Sequence, residues 1–592
     1  AMAKKNAIIK NMPAVETLGS TSAINSDKTG TLTMNQMTAR VISTVKHRYT
    51  VSGEGYSFDG KIQRIEGEPE ENLDFVLFPC ALCIDTVIKD GEVVGDPTEA
   101  ALYVLAEKGG VNVHEFRKNN PRIASIPFDS EYKFMATFHN MKTSSGKKVI
   151  RAYVKGAPDV ILRRSTHGLL PDGSAKKLNS DHKKRVEDEN QRIASEGLRV
   201  LALAQKDFDP DTFDPKTDLM PLTENLIMTA LIGEVDPPRK EAKHAIKKAK
   251  EAGVRVRMIT GDHAVTAEAI GQELGIEGRT ITGKEFAALS DEEAENQIDE
   301  IGILARVAPE HKVRLVKTLK NKGNIVAMTG DGVNDAPSIK AADIGIAMGI
   351  TGTDVAKGAA EMILVDDNFS TIISAIEEGR KIYDNLQKFL RIQIANLFMF
   401  ILAFLGSSIF AIAGTSLYTP GQVLWIHMLI VAPIGMMFGL DMASPGIMNR
   451  KPRKNDESLI SKRMYFKLFI FGAFMAATSL YLYNMGQTIY GSIQIGQTMG
   501  LVTLSLMNIF LALNIRFPKD TVFQRATFSN HRLIYAYLWI FFGTFLLTET
   551  RLFHQIFGTV SLDAYQWGIC LIPGIVLLII GEIDKRFIQN KK

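Results

Sequence analysis

Three acidic turns, each placed directly after a short apolar run, carry the residue types that phosphoryl transfer requires. Asp27, Asp262 and Asp331 each follow strand-like residues. A carboxylate can attack a γ-phosphoryl group if nearby cations offset the mutual repulsion. We therefore expect Asp27 to act as a nucleophile beside a Mg²⁺ ion. Asp331 and Asp335 offer the oxygen ligands that Mg²⁺ prefers, and Lys312 can reach the same phosphate.

The elements that must position these side chains are the strands of a parallel sheet. Helical stretches such as Arg239–Ala252 and Pro309–Asn321 alternate with the strand-like runs. This alternation is typical of a parallel sheet with helices on both faces. Such a sheet gathers its functional groups at the carboxyl ends of its strands, so the three turns should converge. The chain lacks the Walker-type pattern G-x-x-x-x-G-K-[ST], which excludes a P-loop.

The spacing of these turns predicts an inserted domain. About 190 residues separate Thr33 from Asp236, too many for a loop and enough for a folding unit. Apolar runs dominate from about Leu386 onward, which marks a further boundary. We therefore place the sheet domain at 1–40 and 225–385, the insertion at 41–224 and a third domain at 386–592.

The third domain has the hydropathy of a membrane protein. Six apolar stretches come close to the roughly 20 residues that a helix needs to cross a bilayer. They lie at about 390–413, 421–441, 464–484, 497–515, 533–551 and 564–583. This series predicts an integral membrane protein with an all-α bundle of six transmembrane helices in the lipid bilayer.

Basic residues fall in alternate loops of this bundle. The loops around Gly414–Pro420, Gln487–Gln494 and Phe553–Ala564 contain no lysine or arginine, whereas the other two loops are basic. The basic loops, the soluble part and the carboxyl-terminal tail are therefore expected on the cytoplasmic side. Lysine plus arginine total 69 against 65 acidic residues, and this net charge of +4 does not indicate a nucleic-acid partner.

Four polar side chains inside the apolar stretches are candidates for a transport path: Gln393, Asn396, His427 and Asn508. Polar groups at such positions are costly and usually face a cavity or a partner helix. Each can contact an ion or form a hydrogen bond that packs two helices, and the sequence leaves both readings open. Pro433 interrupts the second stretch, and a broken helix frees carbonyl groups that can bind a cation.

The turn that begins at Asp27 reads D-K-T-G-T-L-T, and here the sequence resembles the P-type ATPases, a family of haloacid-dehalogenase-like hydrolases. Four more motifs of that family follow in order: K-G-A-P from Lys155, D-P-P-R from Asp236, M-I-T-G-D from Met258 and T-G-D-G-V-N-D-A-P from Thr329. The resemblance implies ATP-driven cation transport through an aspartyl phosphate on Asp27. It also implies a Rossmannoid α/β phosphorylation domain, with an inserted α+β nucleotide-binding domain at 41–224.

The resemblance assigns roles to particular residues. It implies that Asp27, Asp331 and the Thr29 carbonyl hold Mg²⁺, with Asp335 nearby. It implies that Thr260, Gly261 and Asn334 bind the phosphoryl oxygens, in a turn completed by Asp262. The implied ATP site has Phe128 stacked on adenine, Lys133 and Lys155 lining the pocket and Arg199 at the phosphates. Glu99, in the sequence G-D-P-T-E, is a further landmark of that site.

The membrane part looks most like the type II branch, near bacterial relatives of the sarcoplasmic-reticulum calcium pump, which implies a bacterial plasma membrane. Calcium pumps carry an Asn and a Glu in the first of these spans, where this chain has Leu397 and Phe400. Without carboxylates a divalent ion would be poorly compensated. The four polar residues therefore suit a monovalent cation or a proton, or else serve packing.

The chain begins just before the phosphorylation motif, in what resembles the linker that leaves the family's fourth span. The resemblance thus implies a missing amino-terminal region, consisting of an actuator domain and four spans, as a partner of this chain. Two alternatives remain open. One is a membrane-anchored phosphatase of the same superfamily. Thr29 argues against it, because phosphatases have a second acid at that position. The other is a relative that has lost transport.

Overall fold

The computed structural model describes residues 2–65, 72–89, 92–143, 146–170, 172–410, 412, 417–454, 457–518 and 520–589. The chain divides into two compact units. One consists of Ala1–Ala14 with Thr21–Ser374, and the other of Val15–Ser20 with Ala375–Lys592. The first unit contains two large sheets and the second is helical.

An eight-stranded sheet in the first unit carries the three acidic turns. Its strand order is Ala7–Ile9, Met362–Leu364, Ile344–Met348, Val326–Gly330, Ala23–Asp27, Arg255–Ile259, Ile301–Ala305 and Arg279–Thr282. The first pair is antiparallel and every other pair is parallel. The inner strands are buried almost throughout, as expected for a parallel sheet. The strand that ends at Asp27 therefore has one acid-bearing strand on either side.

Helices connect these strands. The two that the sequence predicts are present as Lys240–Glu251 and Pro309–Asn321. The others in this part are Ala264–Leu274, Gly283–Ala288, Asp291–Gln297, Ala336–Ala341 and Asp354–Ala359. The helix Met12–Ser20 begins in the first unit, and its residues from Val15 onward belong to the second. The helix Pro309–Asn321 begins with a proline, at a position where a backbone N–H would have no helical partner, so the N–H that proline lacks costs nothing. This start sets the position of Lys312 near the beginning of the helix.

In sequence, the strands of a ten-stranded sheet lie between Ala23–Asp27 and Arg255–Ile259 of the eight-stranded sheet. The main path of the ten-stranded sheet is Ile62–Arg64, Arg48–Val51, Thr38–Thr44, Leu226–Val235, Arg199–Phe208, Lys148–Gly156, Phe134–Lys142 and Arg122–Ile126, antiparallel throughout. Ser165–Leu169 and Ala175–Lys177 complete it, and Val87–Lys89 pairs separately with Glu92–Val94. Helices cover it at Asp74–Leu82, Pro97–Lys108, Val113–Asn119, Pro158–Arg164 and Ser180–Ser195.

The strands that enter and leave this sheet extend past the expected insertion bounds of 41 and 224. Thr38–Thr44 and Leu226–Val235 pair with each other, Ile42 opposite Ile232. Pairing across so long a separation in sequence leaves no local signal, so the sequence alone does not reveal it. The division into a phosphorylation and a nucleotide-binding domain stays a prediction.

The helices of the second unit are Phe369–Ile409, Pro420–Gly439, Lys462–Thr488, Ile493–Arg516, His531–Glu549, Arg551–Phe557 and Ala564–Gln589, the first of which starts in the other unit. Five of these are long and apolar enough to cross a membrane. The pair His531–Glu549 and Arg551–Phe557 would make a sixth span, although it bends by 89°. The six predicted stretches thus correspond to five clear candidates and one bent pair among the described residues; the predicted end of the first stretch at 413 lies outside them.

Two of these helices depart from expectation. Phe369–Ile409 has 41 residues, about twice the length that a span needs; its first half is charged, so hydropathy detects only the second half. At the predicted break near Pro433 the helix contains a π-helical turn, Ile426–Val431, in which the Ala432 N–H donates to the carbonyl of His427. Proline supplies no N–H to the ladder, so the hydrogen-bond pattern shifts just before it.

Candidate phosphoryl-transfer site

Asp27 is held at the carboxyl end of a central strand by its neighbours in sequence and in space. Its backbone N–H donates to the Thr329 hydroxyl at 3.0 Å, and its carboxylate accepts from the Lys28 N–H at 2.9 Å. The chain then turns sharply through Gly30, whose φ of 73° is a left-handed conformation that suits glycine. The side chain of Asp27 therefore faces the edge of the sheet in a fixed position.

The carboxylates of Asp27, Asp331 and Asp335 form one cluster, with an oxygen from each within 4.8 Å of the others. Lys312 lies at its centre: its Nζ is 3.1 Å from Asp27 Oδ2 and 2.7 Å from Asp335 Oδ1. The other oxygen of Asp335 accepts the backbone N–H groups of Asp331 and Gly332. The expected convergence of Asp27, Asp331, Asp335 and Lys312 is thus a feature of this structure.

Crowding and burial act on the ionisation of this cluster. Burial raises the pKa of Asp27, and the neighbouring Asp335 and Asp331 add to this, against the opposing effect of Lys312. Burial, then Asp335, likewise raises the pKa of Asp331. Burial lowers the pKa of Lys312, but the carboxylates of Asp27 and Asp335 outweigh it, so the pKa is raised. Three carboxylates with one lysine leave excess negative charge on the oxygen donors that Mg²⁺ prefers, so these residues fit that ion.

A second cation–carboxylate pair joins two of the acidic turns, and sequence analysis assigned it no role. Lys28 Nζ lies 2.5 Å from Asp262 Oδ2, and only 7% of the Lys28 side chain is exposed. A buried ammonium group is costly unless it is paired, so this contact holds the Asp27 turn to the Asp262 turn. The signal in the sequence is the position of Lys28 beside the nucleophile, but its partner is 234 residues away.

The remaining expected phosphate ligands surround this edge. Thr260 is buried directly after its strand, and its hydroxyl accepts the N–H of Asp262 at 3.1 Å. Thr29, Gly261 and Asn334 follow the three strands and are exposed. Thr29 and Asn334 make no side-chain hydrogen bond to any described residue, so both are free to meet a ligand.

The expected ATP residues fall into two groups. Lys155 and Glu99 form a buried ion pair at 2.5 Å, with 7% and 12% of their side chains exposed. Arg199 lies beside them, 3.4 Å from the Thr98 hydroxyl. Phe128 and Lys133 lie in the exposed connection between two strands, with 62% of Phe128 accessible. The structure gives no contact between Phe128 and the Lys155–Glu99 pair.

Glu234 is a functional candidate that sequence analysis missed. It is fully buried, and neither carboxylate oxygen has a hydrogen-bond partner among the described residues. Burial raises its pKa well above the ordinary value, against the attraction of Lys155 and Arg199. The available signal is an acid in the apolar run that ends at Val235.

The four transport-path candidates lie together in the second unit. Gln393, Asn396 and His427 line one cavity of about 470 Å³. Asn396 donates to the Asn508 side-chain oxygen at 2.8 Å, and His427 stacks on Phe400 with ring centroids 4.9 Å apart. The described lining contains no charged side chain. The Asn396–Asn508 hydrogen bond joins two helices, which is one of the two roles that the sequence allows for these side chains. The cavity is compatible with the other role, contact with an ion.

Two families match parts of this chain. Residues 72–241 match the family described as "P-type ATPase, cytoplasmic domain N", and residues 415–587 match "Cation transporting ATPase, C-terminus". Among curated proteins, "Calcium-transporting ATPase 1" of Bacillus cereus is 37% identical over 100% of this chain and 66% of its own length. "Calcium-transporting ATPase" of Bacillus subtilis is 38% identical over 97% and 65%. "Cation-transporting ATPase pma1" of Synechocystis is 35% identical over 99% and 66%. The chain thus spans just under two thirds of these relatives.

Proposed function

The chain belongs to the P-type cation-transporting ATPases, and from this premise we propose that it carries the phosphorylation and ion-path machinery of an ATP-driven cation pump. The observation that carries the proposal is Lys312 bridging Asp27 and Asp335 at the edge where three acidic turns meet. An integral membrane location follows from the apolar helices and the membrane ATPase relatives. We further propose that the acidic edge faces the cytoplasm of a bacterial cell.

In this proposal Asp27 takes the γ-phosphoryl group of ATP. A carboxylate oxygen of Asp27 attacks the γ-phosphorus, the bond from that phosphorus to the oxygen bridging the β-phosphate breaks, and ADP leaves with the electron pair. Lys312 offsets the negative charge that gathers on the phosphoryl oxygens, and Thr260 orders the turn beside them. Mg²⁺ held by Asp27, Asp331 and Asp335 would supply the remaining charge neutralisation.

The aspartyl phosphate should persist because the acid that breaks it is absent. The second residue after Asp27 is Thr29, which cannot serve as the carboxylic acid that a phosphatase places there. A long-lived intermediate is what a pump requires, since a conformational change must occur before hydrolysis. This feature supports the pump over the phosphatase alternative.

The cavity of Gln393, Asn396 and His427 is proposed to contribute neutral ligands to the ion path. Its described lining has no carboxylate to balance a divalent charge. We therefore propose a monovalent cation or a proton as the transported ion, although two of the relatives are named calcium-transporting.

Labelling with γ-phosphate-labelled ATP and Mg²⁺ tests this function. The protein should form an acid-stable, hydroxylamine-labile adduct, and Asp27→Asn should abolish it. Asp291→Asn is the matched control, because the Asp291 side chain is 91% exposed in the same unit. Equal labelling of Asp27→Asn and the parent protein would refute the assignment. If labelling rises with K⁺, Na⁺ or proton concentration and not with Ca²⁺, the monovalent proposal holds; strict dependence on Ca²⁺ would overturn it.

A further inference from the structure

A basic cavity in the ten-stranded sheet lies apart from every residue used above. It has a volume of about 340 Å³. Its walls are the turn 44–48, residues 64–65, one face of the helix Ser180–Ser195 and residues 228–231 of a central strand. A volume in this range accommodates a small organic ligand. None of the expected ATP residues lines it.

The charge of this cavity is strongly one-sided. The cationic side chains on its walls are Lys46, Arg48, Arg64, Arg185 and Arg192, and Glu189 is the one acid among its described lining residues. Glu189 and Glu196 pair with Arg48 and Arg192, whereas Lys46 and Arg185 form no ion pair with any described residue. The like charges that remain repel each other, which costs stability unless an anion offsets them. The composition therefore indicates an anionic ligand.

Buried polar atoms on the wall point to the same conclusion. Arg48 is anchored through Nη2, which bonds to Glu196, while Nη1 lies 3.6 Å from a Glu189 oxygen. Its Nε and Nη1 atoms are nevertheless buried without a hydrogen-bond partner, and so is the hydroxyl of the fully buried Thr229. A buried donor without a partner lowers the stability of the folded state. Because Nη2 bonds to Glu196 and Nη1 faces Glu189, the Nε–H is the Arg48 donor left for an oxygen of an anion.

We infer that this cavity, defined by Lys46, Arg48, Arg185 and Thr229, binds a small phosphorylated anion at a site separate from the ATP and phosphoryl-transfer residues. Arg48 donates to the phosphate from Nε, Thr229 donates to it from its hydroxyl group, and the exposed Lys46 and Arg185 balance its negative charge. The ligand class is a soluble mono- or diphosphate, since the cavity is too small for a polymer.

Pyrophosphate is the probe, and calorimetric titration of the full chain in detergent without Mg²⁺ is the measurement. Wild type should bind one equivalent. The double variant Lys46→Ala with Arg185→Ala should weaken binding by tenfold or more, since both residues are exposed and their removal spares the fold. The matched control, Lys184→Ala with Arg163→Ala, loses the same charge from exposed positions outside the cavity and should bind as wild type does.

Two further measurements separate a built site from general attraction. Arg48→Lys keeps the charge but has no donor at the position of Nε, so it too should weaken binding. Bound pyrophosphate should slow amide exchange in 43–48 and in Ser180–Ser195. Equal weakening in the control pair, unchanged exchange in those segments, or binding to phosphatidylglycerol vesicles without binding to pyrophosphate would each overturn the inference. None of these results depends on phosphorylation of Asp27, so the two proposals fail independently.

Discussion

Lys312 carries the positive charge at the centre of the acidic cluster, and its replacement tests the charge argument at a single residue. Lys312→Met keeps an unbranched side chain of similar size but leaves Asp27 and Asp335 to repel each other and the incoming phosphate. The initial rate of aspartyl-phosphate formation should fall by about 10²-fold, as expected for the loss of one electrostatic group.

Lys320→Met is the matched control for this change. Lys320 lies on the same helix, but it pairs with Asp343 away from the cluster. Its replacement should leave the labelling rate within about twofold of the parent, because exposed ion pairs contribute little. A similar loss in both variants would show that the helix, and not the charge, limits the reaction.

Glu234 gives a pH-dependent prediction with a definite sign. Burial raises its pKa in the folded protein, with Asp96 adding to the effect and Lys155 and Arg199 opposing it. Between the ordinary and the raised pKa, the folded state therefore keeps a proton that the unfolded chain has lost, and stability falls as pH rises. Glu234→Gln cannot titrate, so its stability relative to the parent should grow by about 1.4 kcal/mol per pH unit across this window.

Amide exchange in the strand Leu226–Val235 measures this effect locally, from about pH 4 upward. Below that pH the parent and Glu234→Gln should be equally protected, since both side chains are neutral. Glu224→Gln, at a half-exposed side chain near the start of the strand, should follow the parent at every pH. Parallel pH profiles for Glu234→Gln and the parent would contradict the assigned burial cost.

At the scale of elements, the strand that ends at Gly330 positions the acidic cluster by close backbone packing. A Cβ at Gly330 would lie 2.7 Å from the Asp335 Cγ, so an alanine there must push that carboxylate away. Gly330→Ala should lower aspartyl-phosphate formation by at least about tenfold, with a loss of stability of about 1–3 kcal/mol from overpacking. Labelling and thermal unfolding measured together would check both.

Gly358 provides the comparison, since a Cβ there meets nothing within 4 Å and the residue lies in the helix Asp354–Ala359. Gly358→Ala should leave labelling unchanged and raise stability slightly, because alanine favours a helix. If Gly330→Ala labels at the parent rate, Asp335 is not held as the structure indicates.

Elements also explain what the sequence can predict. Asp27, Asp262 and Asp331 each end an apolar run, and the rule for parallel sheets is enough to bring the three together. The Lys28–Asp262 pair could not be predicted, because adjacency to Asp27 does not reveal which way a side chain turns. The charged start of the helix Phe369–Ile409 is invisible to hydropathy, and the unpartnered acid Glu234 is a consequence of tertiary burial alone.

At the scale of the whole molecule, the number of spans decides on which side of the membrane the chain ends. Alternating basic loops predict six spans, whereas the described residues contain five clear candidates and the bent pair that begins at His531. If the bent pair crosses the membrane, Lys454 and Arg586 lie on one side and Thr488 on the other. If it does not cross, Arg586 joins Thr488.

Single cysteines at Lys454, Thr488 and Arg586, all exposed positions, distinguish these cases. The native cysteines Cys80, Cys83 and Cys570 are buried, so an impermeant thiol reagent should report on the introduced residues. In intact bacterial cells we expect labelling at Thr488→Cys alone, with Lys454→Cys and Arg586→Cys labelled only in inverted vesicles. Labelling of Arg586→Cys from outside would mean that the bent pair His531–Glu549 and Arg551–Phe557 does not cross the membrane. With one span fewer, the residues that follow the last span lie on the opposite side.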